Sequence, residues 1–381
     1  MTRLLKNVPT AALIATTLLF VVVGEVWAVE GPPPLKCSSQ NFGPFLDFEF
    51  RFFSGGQIGL PIKHYRGQQP SFKMLLTVTP VEGTPGEAAE LFDQFAIKQK
   101  IPDDAKGEMV LSPSFSVGEG RYAVDWKLVD DSGQTCTGAW KIKAALARGQ
   151  KVVALALKPG EIVESGVYLF RPEAPVARPH LTSPKRLKIF VSMDIRSRRG
   201  RSARPSLWRL HPHFSTVRQL SRSQGFNEFS VVFFSFEDQK ILYRQDYKPS
   251  VNFAPMRKII GNLNPQTVDI NQLGNGREMD FFESLLSDEL LIGDAPDAVV
   301  FVGQETHFGT QTSEFMRGRL RQIEAAFAFL DTSRYEWRGA MGNVVRAVNG
   351  KEYKLRQPTD LSKALDSIER ELGGASSATG R

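Results

Sequence analysis

The feature that most constrains the fold is a short apolar run in the middle of the chain, at residues 187–193. Five of its seven residues are apolar, the run ends on Asp194, and a dense group of arginines follows. This pattern is typical of a parallel strand that is buried on both faces. Because open α/β sheets bind ligands at the carboxyl ends of such strands, we expect a functional site just after residue 193.

The part of the chain that follows alternates strand-like and helix-like segments. We predict further strands at 228–236, 240–244, 297–303, 325–330 and 351–356. We predict helices at 214–224, 252–263, 277–291, 313–323, 337–348 and 358–372. Strands that alternate with helices favour an α/β fold with a doubly wound, mostly parallel sheet, and the short segment at 240–244 is expected to be an antiparallel partner.

The part of the chain before the run has apolar residues at every second position. The alternation is clear at 122–128 and is repeated at 48–52, which predicts half-buried antiparallel strands of an immunoglobulin-like β-sandwich. Tyr122 follows Gly120 at the start of a strand, as in a tyrosine corner. We interpret 87–99 as a helix inserted in the sandwich, since its apolar residues also fit one helical face.

A chain of 381 residues exceeds what one hydrophobic core commonly serves, so two domains are expected. We place the β-sandwich at 37–171 and the α/β domain at 185–372. The Pro-rich segment 172–184 is interpreted as a linker. The tail 373–381 is expected to be disordered.

The start of the chain has the pattern of a signal peptide. Basic residues precede an uncharged apolar run at 11–24, and Val26 and Ala28 are the small residues that a signal peptidase requires. We predict a signal peptide at 1–28 and an exported protein, periplasmic or secreted, that meets the membrane only through this segment. The alternative is an uncleaved anchor, although the apolar run is short for a membrane span.

The chain has two cysteines, Cys37 and Cys136. In an oxidising compartment they would form a disulfide between the beginning and the end of the sandwich. The alternative is a pair of buried free thiols, because sequence alone does not show proximity.

The net charge of +7 is concentrated in one region, since 178–222 contains twelve Lys or Arg residues and a single acid, Asp194. We interpret 196–213 as a basic loop that could bind an acidic protein, an anionic polysaccharide or a phosphate-bearing polymer; the alternative is a solvated loop without a partner. A single aromatic residue in the loop and the export signal argue against nucleic acid. The candidate binding residues are Arg196, Arg198, Arg199, Arg201, Arg204, Trp208 and Arg209.

Several features of the α/β half together resemble the von Willebrand factor A family, in particular the "VWFA-related" type of exported bacterial proteins. They are a strand ending in Asp194, an antiparallel edge hairpin, the strand Pro-Asp-Ala-Val-Val-Phe-Val at 296–302, and the Pro-x-Asp-Leu-x-x-Ala-Leu helix start at 358–365. The resemblance covers 184–372, about half of the chain. It implies a Rossmann-like sheet with helices on both faces, and domains that are mostly binding modules rather than enzymes.

The resemblance also implies a metal-ion-dependent adhesion site, from which this sequence departs. The family pattern Asp-x-Ser-x-Ser supplies oxygen ligands to a divalent cation. Asp194 matches its first position, but Arg196 and Arg198 replace the two hydroxyls, and the second acid of the family would fall at Gln304, next to Glu305. We therefore predict a degenerate site without a metal or other cofactor, in which Asp194 pairs with the neighbouring arginines.

These observations predict a non-catalytic binding module that contacts a protein or an anionic surface of the cell envelope. One alternative is an envelope hydrolase that uses Asp194, Glu305 and His307. Another is a purely structural module, which would expose an apolar patch. A zinc site at His211 and His213 is not expected, since the second pair of ligands is missing. The oligomeric state stays open.

Overall fold

The structure of the chain, a computed structural model, describes residues 34–164, 170, 176–178, 185–195, 207–261, 277–292, 295–305, 312–333 and 339–372. The predicted signal peptide at 1–28, most of the linker at 172–184 and all of the tail at 373–381 therefore lie outside the described residues. Within the described ranges no helix is long and apolar enough to cross a membrane.

In the N-terminal half, the described residues form two antiparallel sheets with nine strands. In chain order these are β1 (Ser38–Leu46), β2 (Phe52–Pro61), β3 (Ser71–Val81), β4 (Ala89–Ala96), β5 (Glu108–Leu111), β6 (Ser114–Val117), β7 (Gly120–Asp130), β8 (Thr135–Ala144) and β9 (Ile162–Glu164). One sheet has the order β1-β2-β6-β9, with β5 also paired to β2, and the other has the order β4-β3-β7-β8. Short 3₁₀ turns lie at Ile62–His64 and Arg148–Gln150.

The two sheets share one hydrophobic core, to which alternate residues of each strand contribute. In β7, Tyr122 and Trp126 are buried whereas Arg121 and Lys127 are exposed. The Tyr122 hydroxyl donates to the backbone oxygen of Gly118 at 2.9 Å, which confirms the predicted tyrosine corner.

Cys37 and Cys136 form a disulfide with their Cα atoms 6.5 Å apart, as predicted. Cys37 precedes β1 and Cys136 lies in β8, so the bond joins the two sheets of the sandwich. Their sequence separation of 99 makes this a long closed loop, which stabilises by roughly 4 to 5 kcal/mol in the chain-entropy model.

The helix predicted at 87–99 is wrong, because the segment forms the edge strand β4. Its residues are alternately half-buried and exposed along the whole of Ala89–Ala96, and every residue pairs with β3. Apolar residues at 91, 92 and 95 fit both a helical face and a period of two. Cross-strand pairing with β3, which the local pattern does not reveal, decides between them.

The strand predicted across 48–52 is also wrong, since β1 ends at Leu46 and β2 begins at Phe52. The Asp47 carboxylate accepts the backbone N–H groups of Glu49 and Arg51 at 2.9 and 3.1 Å. An aspartate that bonds the amides after it stabilises a turn, and Phe50 has a φ of 59° there. Residues 47–51 are thus the tip of a hairpin.

The C-terminal half contains a six-stranded sheet in a mixed α/β arrangement. Its strands are β10 (Arg186–Ser192), β11 (Glu228–Ser235), β12 (Lys240–Lys248), β13 (Ala298–Gly303), β14 (Ala326–Asp331) and β15 (Lys351–Lys354). The order is β12-β11-β10-β13-β14-β15. All pairs are parallel except β11 with β12, which is antiparallel as expected.

Helices cover both faces of this sheet. They are α1 (Leu207–Arg222), α2 (Met256–Gly261), α3 (Glu278–Leu286), which continues as a π-helical turn at Ser287–Leu291, α4 (Glu314–Leu320), α5 (Ala340–Ala347) and α6 (Pro358–Leu372). On one face α1 and α6 pack with Ile189 of β10, and on the other α3, α4 and α5 pack with Phe190. Successive residues of a strand point to opposite faces, which explains the two cores.

Helix α1 corrects the predicted loop at 196–213, because it begins at Leu207 and includes Pro212. Leu210, Phe214 and Val217 are fully buried, and their spacing places them on one face. Burial of this face extends the helix across a proline that would otherwise favour an earlier break.

The two halves of the chain contact each other at α1. The hairpin tip at 47–51 reaches the helix, where Glu49 Oε1 lies 3.5 Å from Arg218 Nε. Arg218 is fully buried, its guanidinium carbon lies 4.4 Å from the ring centroid of Phe253, and Glu49 is only 6% exposed. This contact is made by α1, which is the first helix after β10 and Asp194 in the chain.

Candidate binding site at the carboxyl edge of the parallel strands

Asp194 lies just past β10 at the carboxyl edge of the sheet and is only 5% exposed. Its Oδ1 accepts the Ser235 hydroxyl at 2.7 Å and the Glu237 amide at 3.4 Å. Its Oδ2 accepts the Phe236 amide at 2.7 Å and the Ser192 hydroxyl at 3.1 Å. Four donors therefore occupy the four lone-pair positions of the carboxylate.

This arrangement makes Asp194 the anchor of the turn between β11 and β12. Ser235, which donates to Asp194, also accepts the Asp238 amide at 3.0 Å, and Met193 donates to the Phe234 oxygen at 2.9 Å. Burial raises the pKa of Asp194, and the hydrogen bonds from Ser235 and Phe236 oppose that shift. The carboxylate is thus committed to holding two strand ends together.

A divalent cation does not fit this site. A cation would have to displace amide and hydroxyl donors from the Asp194 oxygens, and the sequence offers donor-only arginines at 196 and 198 where oxygen ligands are needed. Among the described residues, no group of three or more His, Cys, Asp or Glu side chains is placed to hold a metal.

Glu305 is a second buried carboxyl at the same edge, two residues after β13 and 5% exposed. Its Oε1 accepts the Gly342 amide in the first turn of α5 at 3.1 Å. Its Oε2 has no hydrogen-bond partner within the part of the chain that the structure describes. Burial, and secondly the charge of Asp331, raises the pKa of Glu305 to about 7.

Asp331, at the end of β14, is neutralised where Glu305 is not. It is fully buried and forms an ion pair with Lys354. It also accepts the Ser333 amide at 2.7 Å, while the Ser333 hydroxyl accepts the Glu305 amide at 2.8 Å. The ends of β13 and β14 are therefore linked by Ser333, and Glu305 is the acid of this pair without a cationic partner among the described side chains.

His213, considered above for zinc, lies on α1 and is fully buried. Its Nε2 lies 3.1 Å from the Thr332 hydroxyl. Burial lowers its pKa to about 4, so the imidazole is neutral at physiological pH. His211 lies two positions earlier, about 200° away around the helix, and 3.4 Å from the Ser215 hydroxyl. The two imidazoles therefore do not converge on one ion.

Only some of the predicted binding residues lie within the part of the chain that the structure describes. Arg209 is exposed on α1, and Gln304 is half-buried beside Glu305. His307 lies outside the described residues, so its convergence with Asp194 and Glu305 stays a prediction. The same holds for the predicted pairing of Asp194 with its arginines and for the side chains of Arg196, Arg198, Arg199, Arg201, Arg204 and Trp208.

The structure does assign several of the other basic residues in 178–222 to internal contacts. Lys188 pairs with Glu289 in the core beside β12, and Arg186 pairs with Glu228 at 2.9 Å. Arg178 donates to the backbone oxygens of Ser221, at the end of α1, and of Pro249. Arg218 pairs with Glu49. These four basic residues of 178–222 are therefore engaged inside the protein.

The sequence signals for these groups differed in quality. Asp194 and Glu305 could be selected because they follow buried apolar strands. Ser235, Ser333 and Gly342 could not, since they lie at the end of β11, just after β14 and in α5, and reach Asp194 or Glu305 only through the packing of these elements.

No protein-family model and no curated protein sequence matches the chain. Solved structures do show similarity. The conserved hypothetical protein BatB from Bacteroides thetaiotaomicron is matched with 10% identity over 50% of this chain and 100% of that one, at a TM-score of 0.31. A von Willebrand factor type A protein from Catenulispora acidiphila is matched with 8% identity over 81% of this chain and 51% of that one, at a TM-score of 0.30. The similar structures thus include the family that the sequence resembles.

Proposed function

We propose that the chain is an exported, non-catalytic binding protein whose α/β half binds an acidic protein surface at the carboxyl edge of its parallel strands. The observation that carries the proposal is the occupied carboxylate of Asp194. A carboxylate with four internal donors is not a nucleophile or a metal ligand, but it fixes the point from which the basic segment leaves the sheet.

The strand order supports a doubly wound, Rossmann-like arrangement similar to that of von Willebrand factor A domains. The chain begins the sheet at the central strand β10, moves outward to β12, and returns through β13 to β15 on the other side. Position 194 is therefore at the switch point, where such sheets bind their ligands. The sequence after it supplies charge for recognition rather than groups for chemistry.

The charge distribution indicates the class of partner. Six arginines and no acid lie within 196–209, whereas the basic residues on either side of this segment are used internally. Guanidinium groups bind carboxylates through two parallel hydrogen bonds. An acidic protein surface thus matches the segment in both charge and geometry.

Export is supported by the disulfide between Cys37 and Cys136 and by the apolar run at 11–24. Structural disulfides persist in oxidising compartments. The binding partner would then lie in the periplasm or outside the cell.

The experiment compares binding to immobilised poly-L-glutamate for two variants with the same loss of charge. One replaces Arg198, Arg199, Arg201 and Arg204 by Gln. The control replaces the exposed Lys98, Lys127, Lys141 and Lys143 of the sandwich by Gln. We expect binding that weakens with salt and is lost in the first variant, at least tenfold, but changes less than twofold in the second. Equal losses in the two variants would show that only net charge matters and would refute a site at 196–209.

A hydrolase using Asp194, Glu305 and His307 is the second candidate function, and one observation favours it. Glu305 is buried with a pKa of about 7 and a free Oε2, which is suited to proton transfer near neutral pH. Against it, the Asp194 oxygens are fully engaged. Hydrolysis of ester or glycoside substrates that disappears in Glu305→Gln, while poly-L-glutamate binding persists, would favour the enzyme.

A further inference from the structure

The edges of the sheets differ in how they are protected from pairing with another chain. β12 has two register irregularities against β11, and β1 has one against β2. β9 and β15 have only three and four residues. β8 carries Lys141 and Lys143 on its exposed face. Bulges, short strands and lysines are the usual protection of sheet edges.

β4 has none of these features along its described length. It pairs with β3 in an unbroken register from Ala89 to Ala96 and contains no proline, glycine or lysine. Its one inward-facing charge, Asp93, is half-buried and so keeps contact with water. β9 of the other sheet contacts β4, but among the described residues no strand pairs with the opposite edge of β4. That edge therefore offers a regular row of backbone donors and acceptors for a further strand.

The exposed face of β4 also carries an apolar pair. Phe92 is 57% exposed and Leu75, which lies directly opposite in β3, is 37% exposed. Directly opposite residues of an antiparallel pair are in side-chain contact distance. The two form one apolar strip that runs across the sheet toward its free edge.

The charges along β4 have a polarity that suits an identical strand running in the opposite direction. Glu87 and Glu90 are exposed at its beginning, and Lys98 and Lys100 are exposed after its end. Lys73 is exposed on β3 opposite Gln94, near the same end. An antiparallel copy would place the acidic beginning of one strand beside the basic end of the other, twice by symmetry.

We propose that two copies of this chain associate through β4, antiparallel about a two-fold axis at Phe92, so that the two four-stranded sheets join into one sheet of eight strands. Successive side chains of a strand point to opposite faces, so the two apolar strips lie on the same face only if Phe92 is paired with a residue of the second copy that points the same way. Pairing Phe92 with its own symmetry mate satisfies this condition. The strip then extends without interruption from Leu75 of one copy to Leu75 of the other. In the adjacent row, Glu90 lies opposite Gln94 of the second copy, and Lys73 of that copy lies one strand further along the same row, about 10 Å from Glu90.

Sedimentation of the full chain over a range of concentrations tests the proposal. We expect a reversible monomer–dimer equilibrium with a dissociation constant below about 100 μM. Phe92→Lys should raise that constant at least tenfold. Phe315→Lys is the matched control, because Phe315 is 70% exposed on α4, in the other half of the chain; it should change the constant less than twofold. Both substitutions are at exposed positions, and unchanged thermal unfolding would show that folding is preserved.

A charge exchange tests the register. Glu90→Lys and Lys73→Glu should each weaken the dimer, because each places like charges in the same row. The two substitutions combined should restore it. Three results would overturn the proposal. They are a protein that stays monomeric at about 100 μM, equal effects of the two Phe→Lys variants on the dissociation constant, and a double variant that dimerises no more tightly than the single variants.

Discussion

Oδ2 of Asp194 lies 2.7 Å from the backbone nitrogen of Phe236 and so ties the end of β10 to the turn after β11. Asp194→Ala would leave this amide, the Glu237 amide and two hydroxyls without their acceptor in a buried site. Each unsatisfied buried donor costs about 1–3 kcal/mol, and local rearrangement recovers part of the total. We expect a loss of roughly 3 kcal/mol in the free energy of unfolding, measured by urea denaturation.

Asp297→Ala provides the control for this loss. Asp297 directly precedes β13. Its carboxylate accepts one backbone amide, that of Arg186 at 2.7 Å, but the side chain is exposed. Its replacement should cost less than about 1 kcal/mol. Magnesium or calcium should not alter the difference between Asp194→Ala and the parent protein. A variant as stable as the parent that has lost cation binding would show that Asp194 is a metal ligand after all.

The raised pKa of Glu305 predicts that the stability of the protein decreases as pH rises through 7. Burial raises its pKa from 4.5 to about 7, so the folded chain binds a proton that the unfolded chain releases. Stability is then greatest below about pH 4.5 and is lost progressively up to and past pH 7, by about 3 kcal/mol for this group alone. Glu305→Gln keeps the shape without the charge and should remove the part of the pH dependence that Glu305 contributes, as measured by urea denaturation at pH 5, 6, 7 and 8.

Asp47 also makes the protein less stable as pH rises, since burial and secondly the charge of Glu49 raise its pKa to about 7. Glu305→Gln should therefore flatten the pH profile only in part, and adding Asp47→Asn should flatten it further. If the profile of Glu305→Gln matches that of the parent, the carboxyl of Glu305 titrates normally and its burial is less complete than described.

The contact between Arg218 and Glu49 predicts that the two halves of the chain stabilise each other. Both side chains are buried at the contact between the hairpin tip and α1. Removing one member of a buried ion pair costs about 3–5 kcal/mol when the remaining charge has no other partner. Glu49 also lies 3.6 Å from Arg51, so we expect Arg218→Met and Glu49→Gln each to destabilise by less, about 2–3 kcal/mol, with the double variant less destabilised than the sum of the two. Additive effects in a double-mutant cycle would contradict a direct interaction.

Most strands and helices of the α/β half could be predicted from sequence because their apolar periodicity is strong. β10, β11, β13 and β14 are mostly apolar runs, interrupted at Lys188 and Ser230, and each lies within a few residues of its predicted position. The segment at 87–99 could not be assigned in this way. An edge strand with one half-buried face and a short amphipathic helix share the same apolar spacing, and the pairing partner β3 decides the outcome.

The candidate site was predictable only at the level of single residues. Asp194 was recognisable from its position after a buried run, yet its donors come from Ser235 and Phe236, more than forty positions away. Likewise, Arg218 contributed to the basic count of its segment, although the structure uses it to bind Glu49 in the sandwich. Contacts set by the packing of distant elements leave no periodic trace in sequence, so the internal use of Arg218 could be recognised only in the structure.

Tyr122 gives a prediction for the sandwich that is independent of the α/β half. Its hydroxyl is buried and donates to the Gly118 oxygen at 2.9 Å. Tyr122→Phe keeps the ring and removes the bond, so we expect a loss of about 1 to 1.5 kcal/mol in urea denaturation. The control is Tyr353→Phe, because the Tyr353 hydroxyl donates to Ser367 at 2.8 Å in a part-buried site where water can replace it; that change should cost less than about 0.5 kcal/mol. Equal costs would mean that the corner adds nothing beyond an ordinary surface hydrogen bond, and that the backbone hydrogen bonds of Gly118 and Glu119 with residues 160 and 161 hold the β6–β7 connection in place.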